Sequence, residues 1–201
     1  MPVIAATRRR LLAAAGALAA GPAWAQAART RVRLETDQGV IVAELADDKA
    51  PITVANFLHY VDTRRMDGAV FYRASRAPGT STVGLIEAGI KDPKKLFPPI
   101  AHESTTQTGL KHLDGTLSMA RFAPGTAVSD FSIICGEGSY LDAHPEWPGD
   151  NLGYAAFGQV TEGMDVVRTI LALPTTGVAQ TPAMQGQMLD PPIKILTARR
   201  V

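Results

Sequence analysis

The run RVRLETDQGVIVAEL, from Arg31 to Leu45, alternates apolar and polar residues on both sides of Asp37-Gln38-Gly39. Period-two alternation around a short connection ending in glycine predicts a β-hairpin of two half-buried strands. The pattern then changes. In APITVANFLHYVDTRR, Val54, Phe57, Leu58 and Val61 recur at the spacing of one helical face. Pro51 falls in the first turn, where its missing N–H leaves nothing unpaired, so a helix is predicted. Beyond it lie apolar runs divided by glycine and proline: AVFYRA, TVGLIEAG, GTLSMA, DFSIIC and AAFGQV. Each has the length of a strand and none that of an ordinary helix. TEGMDVVRTILAL predicts a second helix, with Thr161 as its cap and Met164, Val167 and Leu171 on one side. PPIKILTARR predicts a closing strand, and the proline- and glutamine-rich segment 174–192 before it an exposed loop. This order gives a mainly β fold, an antiparallel barrel whose open ends are plugged by two helices. The irregular segments 91–111 and 136–153 have the length of functional loops or insertions.

Composition adds limits to this picture. A chain of 201 residues, 46% hydrophobic and 19% charged, can bury one real core. Its first 25 residues read differently: the basic start MPVIAATRRR, a short apolar run, then small residues ending in Ala23-Trp24-Ala25. That is the layout of an export signal, and the run is too short and too interrupted for a membrane anchor. Thr7-Arg8-Arg9-Arg10-Leu11-Leu12 resembles the twin-arginine signal, with a general secretory signal as the alternative. The expected product is a periplasmic or secreted domain spanning 30–201. Without Arg8, Arg9 and Arg10 the basic residues number 17 against 19 acidic ones, which argues against nucleic-acid binding. Cys135, the only cysteine, lies in the apolar FSIIC and is expected to be a buried thiol.

The residues also carry a resemblance. APITVANFLHYV, VFYR, GTLSMAR, SDFSIIC and AAFGQVTEGMDVV, in this order, are similar to the helix, signature and strand segments of the cyclophilin family of peptidyl-prolyl isomerases, in particular its exported bacterial type. The similarity runs from about Val32 to Ile195. It implies a closed eight-stranded antiparallel barrel capped by two helices, and catalysis of rotation about the bond preceding proline. That rotation has a barrier of about 18–20 kcal/mol because the amide bond is partly double. A cation donating a hydrogen bond to the pyramidalising prolyl nitrogen would hold its lone pair out of conjugation. An arginine fits, since it stays charged and offers planar, directed donors.

By this resemblance Arg73 is the catalytic donor, the alternative being a solvated charge at a strand edge. Phe71, Leu85, Glu87, Met119, Ala120, Arg121, Asp130, Phe131, Ser132, Leu141 and Tyr154 are the implied substrate-binding set. Glu87 stands where the family commonly has glutamine, and Ser132 where it has a second phenylalanine. Arg121, Asp130, Tyr140 and Tyr154 replace asparagine, glutamine, tryptophan and histidine. A glutamate only accepts hydrogen bonds, and it can pair with Arg73 or Arg121. Losing the phenylalanine removes roughly 1.5–3 kcal/mol of apolar burial from a closed cup. The implied activity is a weakened isomerase acting on proline-containing peptides or unfolded clients, as a monomer. The alternative is a proline-peptide-binding, chaperone-like module with little or no catalysis. No metal or organic cofactor is implied. His59, His102, His112 and His144 show no metal-ligand spacing, and His102-Glu103 reads as a surface pair.

Overall fold

In the computed structural model, which describes residues 29–201, eight strands close into one barrel. They are β1 (Arg31–Thr36), β2 (Gly39–Leu45), β3 (Val70–Arg76), β4 (Gly84–Gly89), β5 (Thr116–Met119), β6 (Phe131–Cys135), β7 (Ala155–Glu162) and β8 (Met188–Arg200). Around the barrel the order is β1-β2-β7-β5-β6-β4-β3-β8, and every neighbouring pair is antiparallel. Closure leaves no free sheet edge. The export signal read at residues 1–25 lies outside the described residues.

The first hairpin forms as its pattern predicts, with Thr36 opposite Gly39. Helix α1 (Pro51–Asp62) follows β2 and has Pro51 in its first turn. Its predicted face, Val54, Phe57, Leu58 and Val61, is buried. Helix α3 (Met164–Ala172) follows β7 and buries Val167, Ile170 and Leu171. Because β2 and β7 are antiparallel neighbours, the two helices leave from opposite ends of the barrel. Inside, Phe57 stacks edge-on to Phe131 with centroids 5.2 Å apart and lies 5.3 Å from Phe157, an arrangement aromatic pairs favour. Cys135 is fully buried, and burial pushes its thiol up to about 11, so it packs as a small apolar group.

Four details differ from the sequence reading. Thr161 does not cap α3: it belongs to β7, and its hydroxyl donates to the Val42 carbonyl. Gly163 makes the turn instead, at φ 87°, where a Cβ would lie 2.1 Å from the Val40 carbonyl oxygen. Strand β8 starts at Met188, inside the expected loop, and a register shift between Phe71 and Arg73 on its partner β3 accommodates the Pro191-Pro192 pair. Segment 91–111 contains a one-turn helix, α2 (Thr105–Thr108). Glu103 is no surface residue, because its carboxylate accepts from the Ile52 and Thr53 backbone N–H groups and closes the N-terminus of α1.

A second polar group sits in the interior. His112 Nδ1 lies 2.7 Å from Asp142 Oδ1 and its Nε2 2.8 Å from Ser118 Oγ. The connectivity is that of a nucleophilic triad, but His112 and Ser118 are both buried, so it serves the fold. Burial pulls the His112 imidazole below its ordinary value of 6.5, against the pull of Asp142. The unfolded chain therefore takes up this proton first, and stability should fall as pH drops from 6.5 toward the lowered folded value. Replacing His112 by Ala leaves Ser118 and Asp142 short of partners and should cost about 3 kcal/mol. Urea unfolding across that pH range checks both, since the variant should also lose this part of the pH slope.

Candidate active site

Strand β3 turns Arg73 to the outer face of the barrel, opposite Glu87 on β4 and Met188 on β8. Its Nε donates to Gln187 Oε1 at 2.7 Å and its Nη1 to Glu87 Oε2 at 2.7 Å. The side chain is only 20% exposed, so it is not a charge reaching into water. Two directed bonds fix the guanidinium plane and leave three of its five N–H groups for another acceptor. Glu87 is 6% exposed, and its other oxygen accepts from the Tyr72 hydroxyl at 2.8 Å. That hydroxyl is also 2.9 Å from Asp130, just ahead of β6. The Lys91 ammonium lies 3.3 Å from the Tyr72 ring centre, a cation resting on an aromatic face. Burial pushes the Asp130 carboxyl up, and the Glu87 charge adds to the push against the contact with the Tyr72 hydroxyl and the hydrogen bond from Ser129.

The expected binding residues separate into three groups. Arg73 meets Glu87 directly, Glu87 and Asp130 meet through Tyr72, and Ser132 stands directly across from Glu87 on β6. Arg121 and Tyr154 instead border a hollow of about 190 Å³ with Tyr140, Phe122 and Trp147. Leu85, Ser132 and Leu141 do not line it. Ala120 and Leu141 are half-buried. Phe71, Met119 and Phe131 require a correction: all three are buried in the barrel interior, where Phe71 and Phe131 pack on each other at 6.0 Å. Strand alternation explains this, because Phe131 and Ser132 must point to opposite faces, so only the serine faces outward.

Arg121 also does something other than expected. Its guanidinium donates to Asp150 and to the Phe122 and Gly153 carbonyls, and lies 5.3 Å from the Tyr154 ring centre. It braces segment 141–153 and has little left for a ligand. In that segment Trp147 stacks on His144 at 3.8 Å, half exposed at the rim of the hollow. Gln187 and Tyr72 were missed in the sequence. Gln187 is 114 residues from Arg73, and its loop carries no local signal; Tyr72 looked like one more apolar strand residue. Among the described residues no group of three or more His, Cys, Asp or Glu could hold a metal ion.

Comparison with known proteins agrees with the barrel and shows the family. The model of the family described as cyclophilin type peptidyl-prolyl cis-trans isomerase/CLD matches residues 31–199. The chain is similar to peptidyl-prolyl cis-trans isomerase A of Dickeya dadantii, with 35% identity over 78% of this chain and 79% of that one. It is also similar to a peptidyl-prolyl cis-trans isomerase of Acinetobacter baylyi, at 35% identity over 86% of each chain. The crystal structure of a Cryptosporidium parvum cyclophilin type peptidyl-prolyl cis-trans isomerase shares the fold, with a TM-score of 0.67 at 20% identity, covering 86% of this chain and 98% of that one. A family match along almost the whole described chain, relatives at 35% identity and a barrel closed by eight antiparallel strands place this protein in the cyclophilin-type peptidyl-prolyl cis-trans isomerase family.

Proposed function

We propose that this protein catalyses cis-trans isomerisation of Xaa-Pro bonds in peptides and unfolded clients, at a rate held down by its own pocket residues. The observation that supports it most is Arg73, pinned by Gln187 and Glu87 yet retaining unused donors on a half-buried face. No covalent step is needed. One of those donors would bind the prolyl nitrogen as it loses conjugation, and a preorganised cation pays no reorganisation cost at that moment. Tyr140, Leu85 and Ala120 would supply the apolar surroundings. The weakening follows from Glu87, which holds one edge of the guanidinium, and from Ser132, which offers little apolar surface to the imino-acid ring.

NMR exchange on a short Xaa-Pro peptide tests this: catalytic amounts of protein should bring the cis-trans exchange well below the uncatalysed time of tens to hundreds of seconds. Binding without acceleration would favour the chaperone-like alternative. For location, the reading is export to the periplasm or outside the cell, where a folding catalyst meets newly exported chains. Replacing Arg8 and Arg9 by Lys should block export if the twin-arginine route is used, and undiminished export would assign the general secretory route.

A further inference from the structure

A single phenolic proton stands between two carboxyl groups beside Arg73. Tyr72 Oη is 2.8 Å from Glu87 Oε1 and 2.9 Å from Asp130 Oδ2. Tyr72 and Glu87 are buried and Asp130 is half-buried. A phenol donates once, and an ionised carboxylate only accepts. Both contacts are satisfied together only when one carboxyl carries a proton and donates it to the phenolic oxygen. Glu87 is the one paired with the Arg73 cation, so the proton belongs on Asp130. The second Asp130 oxygen is already occupied, accepting from Ser129 Oγ at 2.9 Å. The close approach depends on Gly89, where a Cβ would lie 2.1 Å from that oxygen.

We infer that Asp130, Tyr72 and Glu87 form a one-proton chain that sets how tightly Glu87 holds Arg73, with Asp130 a positioning residue that turns the isomerase down as pH rises. The inference rests on the isomerase reading of Arg73. With Asp130 protonated, hydrogen bonds run one way, Asp130 to Tyr72 to Glu87, and Tyr72 takes up part of the negative charge of Glu87. Arg73 is then held loosely enough to serve a substrate. Once Asp130 ionises, two anions compete for one hydroxyl, and Glu87 compensates by gripping the guanidinium. The charged and titratable groups facing this chain are Arg73 on β3, Lys91 after β4 and Tyr60 on α1. Lys91 favours the ionised Asp130, whereas burial and Glu87 oppose it.

The test is kcat/KM against pH for the unaltered protein and three variants. The unaltered protein should lose about tenfold across one titration step, the scale of one charge-assisted hydrogen bond partly lost. Asp130→Asn should show no step and stay at the high, low-pH rate, because its amide goes on donating to Tyr72. Tyr72→Phe should show no step and stay at the low rate, with Glu87 left to Arg73 alone. Glu87→Gln should show no step, since a neutral amide has no charge to redirect. Simple loss of structure would lower Asp130→Asn and Tyr72→Phe alike, so the opposite signs identify the chain. A step that survives in Asp130→Asn, or equal losses in both variants, overturns it. Infrared difference spectra across the step provide a readout without turnover: a carboxylic-acid carbonyl band should vanish on ionisation and be missing in Asp130→Asn. If the protein proves inactive, that band still decides the matter, and its absence from the unaltered protein refutes the chain while leaving the isomerase question to the peptide assay.

Discussion

Replacing Arg73 by Ala should lower kcat/KM for an Xaa-Pro peptide by about 10²–10³, the loss typical of removing one preorganised donor. Peptide affinity should change far less, because the interaction lost is made mainly in the transition state. The fold should survive, since the side chain lies on the outer face and anchors only Gln187 and Glu87. Arg73→Lys should recover little. The bonds to Gln187 and Glu87 leave from different edges of one rigid plane, and an ammonium at the end of a flexible stem cannot hold both while offering a third donor. NMR exchange spectroscopy separates these outcomes. Equal rates in the unaltered protein and Arg73→Ala would remove Arg73 from the mechanism.

The second large effect has the opposite sign. Glu87→Gln should raise kcat/KM by about tenfold, because a neutral amide no longer holds the guanidinium by charge and its NH₂ can donate to a substrate carbonyl. Ser132→Phe, one strand away and directly opposite Glu87, should act through affinity. It adds apolar surface worth up to roughly 1.5–3 kcal/mol if fully covered by the bound proline ring, so it should lower KM more than it raises kcat. A fall in rate for Glu87→Gln would mean that the carboxylate is needed to aim Arg73 and does not restrain it.

The barrel was largely legible in the chain because its signals are local. Val54, Phe57, Leu58 and Val61 announce a helix within eight residues, and the alternation around Asp37-Gln38-Gly39 announces a hairpin without reference to anything distant. The site was legible only in part, as its parts are joined across the sheet. Arg73 and Glu87 could be named from VFYR and IEAG, but their pairing depends on the β3–β4 register, which shifts between Phe71 and Arg73. The choice between Phe131 and Ser132 as the outward residue depends on strand phase, and a short strand such as FSIIC, with three consecutive apolar residues after the serine and every position buried, does not reveal phase. Gln187, Tyr72 and the His112 interior network depend on contacts between residues far apart or on different strands, and no window of sequence records them.

The most direct measurement of the central idea is the ¹⁵N spectrum of the Arg73 side chain as an Xaa-Pro peptide is added to saturation, assigned against Arg73→Ala. If Arg73 serves the prolyl nitrogen while Gln187 keeps its hold, the Nη signals should shift strongly and the Nε signal should stay nearly in place. A peptide that saturates the protein while leaving the Nη signals unmoved would contradict the account.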